Sequence, residues 1–303
     1  MWTQYFGDLF EAAAVMEIVY TRNSGELAKL LAKDLALSVF PANVRRFSNG
    51  EISVSLSKSF GNVMVLSSTV TNEDWLELLL LLDALRDAKN ITICMPYMGY
   101  SRQDVQNQNE SFGARLFPRL LETASVAHCI ILDNHAEPMM CFPYTHLSAN
   151  GIFEADIMSK YSMQQIVVVS PDIGGAYRAN AVSRSLKCDF AICNKARDVF
   201  GELKKTDVVG NVSNKICVLI DDIVDSGATL CHAAGALLEA GSNGVVAYVV
   251  HGVLSNGSRE RLEKSRIEEI VLTDSICATN VNSSKFRKLS VASLLAETIR
   301  YIM

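Results

Sequence analysis

The sequence predicts an α/β protein of two similar domains, each a mostly parallel sheet flanked by helices. Three observations predict it. Short β-branched apolar runs alternate with helix-like segments. The alternation starts afresh near residue 155. Polar residues recur just after the apolar runs, where ligands sit in open α/β sheets. With 303 residues, 49% of them hydrophobic, there is apolar material for more than one core. The net charge of −5 argues against general nucleic-acid binding.

The elements follow in order. Residues 1–15 are an N-terminal extension of unknown role. From Met16 the chain reads as strand Met16–Tyr20, helix Glu26–Leu37, strand Ile52–Leu56 and strand Val63–Ser67. Helix Trp75–Ala88, strand Ile91–Met95, helix Arg115–Thr123 and strand Ala127–Leu132 complete a first domain, 16–155. A second domain, 156–290, holds strand Ile166–Ser170, helix Ala176–Leu186, strand Phe190–Cys193, strand Lys215–Ile220 and helix Leu230–Ala240. Strand Val245–Val250, helix Arg259–Lys264 and strand Ile270–Leu272 end it. The last helix, in 291–303, is expected to pack back on the first domain. Asp198–Asn214 reads as a polar loop able to move.

The apolar run Leu76–Leu85 contains Glu77 and Asp83 and is too short to span a bilayer. The N-terminus lacks a basic region and carries Asp8 and Glu11, so no signal peptide is expected. The eight cysteines include no C-x-x-C pair. Cys94, Cys129 and Cys217 sit in strand-like runs and read as reduced packing residues of a cytoplasmic protein.

The most informative stretch is Lys215–Thr229, KICVLIDDIVDSGAT. An apolar strand leads to Asp221 and Asp222, then to Asp225, Ser226, Gly227, Ala228 and Thr229 at the start of a helix. Free N–H groups and the positive end of the helix dipole suit an anion there. No Lys completes a Walker loop. Adjacent carboxylates repel a polyphosphate but accept hydrogen bonds from sugar hydroxyls. The chemistry fits a phosphate joined to a polyol; a plain strand–turn–helix with an acidic N-cap is the alternative.

Other strand ends carry Arg102 and Gln103, His135, Asp172, and the pair Lys195 and Arg197. His135 and Asp172 can join a nucleotide polyphosphate in holding Mg²⁺, which rarely takes an all-protein cage. Equally, His135 can be an ordinary hydrogen-bonding residue and Asp172 a helix cap. Arg102 can bind phosphate oxygens through two N–H groups or make a surface ion pair. Lys195 and Arg197, on one side of an extended segment, can stabilise phosphoryl-transfer charge or form a solvated charge run. Phe47-Ser48-Asn49-Gly50-Glu51 is a turn before a strand, and a hairpin without a ligand also accounts for it.

The stretch DDIVDSGAT resembles the phosphoribosyl-diphosphate (PRPP) motif of phosphoribosyltransferases and PRPP synthetases. With FSNGEISV, LLLLDALRDA, PYMGYSRQD, LDNHAEP, VVVSPDIGGAYRA and NKARD in that order, the chain resembles the ribose-phosphate pyrophosphokinase (PRPP synthetase) family from Met16 onward, as a divergent bacterial-type member. The resemblance implies two phosphoribosyltransferase-like domains and diphosphoryl transfer from Mg·ATP to ribose 5-phosphate. It implies ATP binding by Phe47, Asn49, Gly50, Glu51, Arg102 and Gln103, with the first of these reaching into a neighbouring subunit. It implies Mg²⁺ at His135 and Asp172, catalysis by Lys195 with Arg197, and ribose 5-phosphate at Asp221, Asp222, Asp225, Ser226, Gly227, Ala228 and Thr229. A cytoplasmic homo-oligomer, a hexamer of dimers, is implied too, with no nucleic-acid or membrane partner.

The chain departs from the family pattern in places. VQNQNE follows RQD where basic residues are usual, DNHA stands for DLHA, Ala196 separates the two cations, and Ser68–Asp74 is short. A phosphoribosyltransferase has no use for FSNGE and GYSRQD. A non-catalytic partner subunit would have no need of Lys195, Arg197, His135 and Asp221.

Overall fold

The structure, a computed structural model, describes residues 16–197, 203–277 and 283–302; of 195–197 and 203–205 it describes the backbone alone. The extension 1–15 lies outside the described residues. The chain forms two compact units, Met1–Leu147 with Ala292–Met303, and Ser148–Val291.

In the first unit, strand β1 (Glu17–Tyr20) leads through a short turn, Arg22–Ser24, to helix α1 (Gly25–Leu35). Helix α1 buries Leu27, Ala28, Leu31 and Ala32 on one stripe. It ends where Ala36 turns left-handed and gives its N–H to the Ala32 and Lys33 carbonyls. Strands β2 (Val39–Pro41), β3 (Asn43–Arg46), β4 (Ile52–Ser55) and β5 (Asn62–Leu66) follow. Helix α2 (Asn72–Ala84) opens on a capping box in which Thr71 and Asp74 satisfy each other's backbone N–H. Strand β6 (Asn90–Met95), helix α3 (Gly113–Thr123), and strands β7 (His128–Leu132) and β8 (Tyr144–Leu147) complete this part. The sheet order is β2-β1-β5-β6-β7-β8, and every pairing in it is parallel. Strands β3 and β4 form a separate antiparallel hairpin.

The second unit begins with helix α4 (Asn150–Lys160), strand β9 (Ile166–Ser170), helix α5 (Ala176–Leu186) and strand β10 (Asp189–Arg197). Strands β11 (Leu203–Val209) and β12 (Ile216–Val224), helix α6 (Ala228–Glu239) and strand β13 (Gly244–Gly252) come next. Helix α7 (Ser258–Glu263) and strands β14 (Glu269–Thr273) and β15 (Phe286–Leu289) close it. The order is β11-β10-β9-β12-β13-β14-β15, parallel except between β10 and β11. Strand β13 is buried at all nine positions, as a central parallel strand covered on both faces should be.

Helix α8 (Ala292–Ile302) belongs to the first unit. Its Ala292, Leu295, Ala296 and Ile299 are buried at helical spacing. Ser293 and Arg300 reach Asp34 at the end of α1. The units divide before α4, earlier than the restart near residue 155, because Asp156 ties that helix to the second sheet. It accepts two bonds from Arg287 (2.9 and 2.6 Å) and one from the Tyr248 hydroxyl (2.7 Å).

Two expectations are corrected. Part of Asp198–Asn214 is not loop, since Leu203–Val209 is the edge strand β11. Its alternating polar sequence hides a strand that has only β10 as a neighbour. The acid pair does not follow its strand either. Strand β12 runs through Asp221 and Asp222 to Val224, because β13 continues beside it after the pairing with β9 has ended at Leu219 and Val169. Among the described residues, Cys94, Cys129 and Cys217 are buried free thiols. Burial pushes Cys94 up to about 12 and Cys217 to about 11.

Candidate active site

The polar residues of the second unit converge at the C-terminal ends of β9 and β12. Strand β9 ends at fully buried Ser170, whose hydroxyl donates to the Asp172 carbonyl at 2.6 Å. Asp172 Oδ1 accepts the Gly175 N–H at 3.0 Å in the turn before α5, whose N-cap is Gly175 itself and carries no side-chain cap bond. Gly175 sits at a crowded point. A Cβ would lie 3.1 Å from Ser170 Oγ and 3.8 Å from both Asp172 Oδ1 and Asp221 Oδ1.

The two adjacent carboxylates differ. Asp222 is 4% exposed and lies 3.3 Å from Arg178 Nη1 on α5. Asp221 Oδ1 accepts the Asp222 N–H at 3.0 Å. Burial, then the Asp222 charge and its hydrogen bond, then the Asp172 charge, hold the Asp221 carboxyl well above the usual carboxylate range. Such a pair favours hydroxyl donors or a cation. Among the described residues, no three His, Cys, Asp or Glu side chains form a metal cage. A Mg²⁺ held by one or two carboxylates and by substrate phosphates needs none.

Beyond the acids, the loop turns at Gly227 (φ 75°) into α6. A Cβ there would meet Leu262 Cγ at 2.8 Å. Arg261 on α7 donates to the Ser226 carbonyl, and the Ala228 N–H lies 3.4 Å from Ser226 Oγ. The first turn of α6 carries no acid. A twelve-residue helix with a slim, pinned loop and hydroxyls at Ser226 and Thr229 presents its N-terminal N–H groups to an anion. Strand β10 runs past Ile192, the last residue it pairs with β9, and so carries Lys195 and Arg197 beyond that sheet edge. Their side chains lie outside the described part.

In the first unit, β6 is followed by the turns of Pro96–Asp104. Gly99 passes so close to β5's extension that a Cβ would lie 2.1 Å from the Thr69 carbonyl oxygen. Tyr100 is left-handed (φ 67°), with its ring 4.3 Å from Phe117 and its hydroxyl on Asn72. Gln103 is held at the start of α3, its N–H on the Tyr100 carbonyl (3.0 Å) and its carbonyl accepting Ala114 N–H (3.1 Å). Arg102 and Gln103 are exposed. Arg115 reaches Gln106 Oε1 at 3.5 Å and stacks 5.0 Å from the Phe112 ring, so it faces the segment that lacks basic residues.

The β3–β4 hairpin turns through Phe47–Glu51. Phe47 N–H bonds the Glu51 carbonyl (2.8 Å), Gly50 N–H the Phe47 carbonyl (3.0 Å), and Glu51 N–H the Asn49 Oδ1 (3.1 Å). Phe47 is 41% exposed with Arg45 stacked 5.1 Å from its ring. His135 is exposed in the loop after β7. Asn134 beside it is anchored: its N–H meets His146 Nε2 at 3.1 Å and its amide the Ala136 carbonyl at 2.8 Å. Arg178, Arg261, Ser170 and His146 escaped the sequence reading. Only Arg178 left a signal, one turn into the helix that follows SPDIGG.

Comparison with known proteins bears on both units. A family model describing the N-terminal domain of ribose phosphate pyrophosphokinase matches residues 16–125, and one for the phosphoribosyl synthetase-associated domain matches 182–303. A ribose-phosphate pyrophosphokinase of Agrobacterium fabrum is 40% identical over 296 residues, covering 94% of this chain and 96% of that one. This chain belongs to the ribose-phosphate pyrophosphokinase family. A family member from Rhizobium meliloti is also 40% identical, over 294 residues, 93% of this chain and 95% of its own. The crystal structure of phosphoribosylpyrophosphate synthetase from Mycobacterium smegmatis shares 32% identity and a TM-score of 0.87, covering 95% of this chain and 98% of that one. The resemblance read from the motifs therefore holds, as does the fold class. The chain is an enzyme of the pyrophosphokinase family, a transferase of nucleotide biosynthesis. No helix among the described residues is long and apolar enough to cross a membrane.

Proposed function

We propose that this chain transfers the β,γ-diphosphoryl group of Mg·ATP to the 1-hydroxyl of ribose 5-phosphate, giving PRPP and AMP. The observation that carries the reading is the strand end in which Asp221 and Asp222 precede an acid-free helix N-terminus pinned by Arg261. Asp221 and Asp222 take the ribose hydroxyls. Asp225, Ser226, Gly227, Ala228 and Thr229 take the 5-phosphate. Phe47, Asn49, Gly50, Glu51, Arg102 and Gln103 take ATP.

The ribose oxygen attacks the β-phosphorus, the bond from that phosphorus to the α-phosphate oxygen breaks, and AMP leaves. The protein positions the partners and stabilises charge. Lys195, with Arg197, neutralises the charge that spreads over the transferring group. Asp172 and His135 are the candidate Mg²⁺ ligands, and the charge crowding around Asp172, Asp221 and Asp222 fits a cation. Bound Mg²⁺ supplies charge neutralisation on the phosphate oxygens. The enzyme acts in the cytoplasm as a homo-oligomer, a hexamer of dimers, without nucleic-acid or membrane partners. Exposed Leu76 and Leu80, one turn apart on α2, support self-association.

Incubating pure protein with ATP, Mg²⁺ and ribose 5-phosphate tests the reading. PRPP and AMP are the expected products. ADP would mark an ordinary kinase, and no product would mark a non-catalytic partner subunit.

A further inference from the structure

A chain of charged hydrogen bonds in the first unit ends at the hairpin turn. It starts at Arg22, just after β1. The Arg22 N–H donates to Glu77 Oε1 at 2.8 Å, and its Nε donates to Glu77 Oε2 at 2.6 Å. The Glu77 side chain is 1% exposed, so both oxygens of a buried carboxylate are taken by one residue. Arg22 Nη2 then reaches one turn back along α2 to Glu73 Oε1 at 2.7 Å. The same oxygen accepts from Arg46 Nη2 at the end of β3. Arg46 Nη1 donates to the Gly50 carbonyl at 3.2 Å, inside the turn itself.

An isolated exposed ion pair would carry little. Here the far end is buried, and α2 is fixed by the Thr71–Asp74 capping box and by Asn23 Nδ2 on Asp74 Oδ1 at 2.6 Å. The two-stranded hairpin is outside the main sheet, and such a hairpin is marginal alone. The planar guanidinium of Arg46 holds the carboxylate through one nitrogen and the backbone carbonyl through another, in a fixed fork. Hydrogen bonds from Arg22 and then Arg46 keep Glu73 below the usual carboxylate range, so it stays charged.

We propose that Glu73 is a positioning residue that fixes the Phe47–Glu51 turn for ATP by holding Arg22 and Arg46 on one carboxylate oxygen. This rests on the ATP reading of that turn. The test uses the full chain carrying Glu73→Gln, Arg46→Gln, Arg46→Lys, the double Glu73→Gln/Arg46→Gln, or Phe47→Ala. For each, kcat and the KM of ATP and of ribose 5-phosphate are measured, with a melting curve. Glu73→Gln is expected to raise the KM of ATP about 3- to 10-fold and to leave kcat and the KM of ribose 5-phosphate within about twofold. Arg46→Lys should match Arg46→Gln. The double variant should be no worse than the worse single one, because both act on one turn.

If Phe47→Ala raises the KM of ATP and both Glu73→Gln and Arg46→Gln leave it unchanged, the positioning role alone is overturned, whatever happens to the melting temperature. If Phe47→Ala leaves it unchanged, the ATP reading of the turn falls and the positioning role falls with it.

Discussion

Arg178 Nη1 lies 3.3 Å from Asp222 Oδ1, and this ion pair joins helix α5 to strand β12 beneath the candidate sugar site. Both side chains are largely out of water, at 17% and 6% exposure. The pair sets the two neighbouring carboxylates in different surroundings. Asp222 has a cation at contact distance. Asp221 has Asp222 and Asp172 as its main charged neighbours, and Arg178 acts on it more weakly than either.

Asp221→Asn should abolish ribose 5-phosphate binding in calorimetric titration while leaving the fold as stable as before, or more so. A carboxyl with a raised folded pKa adds stability that is full below its unfolded value, about 3.9, and is lost as pH rises through the raised value. Above that value the ionised Asp221 costs stability, and Asn removes the cost. Melting curves between about pH 4 and 9 should show the mutant gaining on the native protein as pH rises. The opposite trend would contradict the assigned direction.

Arg178→Ala leaves Asp222 buried without its cation. Breaking such a pair from one side should cost about 3 kcal/mol, read as a lower denaturant midpoint at unchanged slope. Lys at this position should recover part of the loss, since it restores the charge without the fork. An Ala variant as stable as the native protein would show that the ion pair is incidental.

Gly227→Ala tests the anion loop. The residue is left-handed, and its Cβ would lie 2.8 Å from Leu262 Cγ. The conformation alone costs about 1–2 kcal/mol. The contact adds to it by pushing the loop off α7. The KM of ribose 5-phosphate is expected to rise about tenfold or more, with the KM of ATP little changed. Equal effects on both substrates would move the phosphate site elsewhere.

Lys195→Ala should lower kcat by about 10²-fold or more and leave the KM of ribose 5-phosphate within about twofold. Lys195 stands on β10 beyond the last pairing with β9, away from the acid pair on β12. Near-normal turnover with a raised KM would make it a sugar-phosphate ligand instead.

Much of this was legible in the chain. The runs IVVVS and KICVLI are continuous and β-branched because parallel strands are covered on both faces, and that pattern is local. Helix α4 was missed, since NGIFEADIMSK opens on two poor helix formers and buries Phe153 and Ile157 as its main core contacts. Strands β2, β8 and β15 were missed because edge strands need little apolar content.

By itself, the sequence determined the α/β period, the two-domain repeat, the family, and the residue types at each strand end. It could not determine which charges meet. Arg178 reaches Asp222, Arg261 reaches the Ser226 carbonyl, and Arg22 and Arg46 share Glu73. Each contact joins residues far apart in the chain, at positions set by strand register and by where helices land on the sheet. Hydrogen bonds fall off within a fraction of an ångström, so that choice belongs to the tertiary structure.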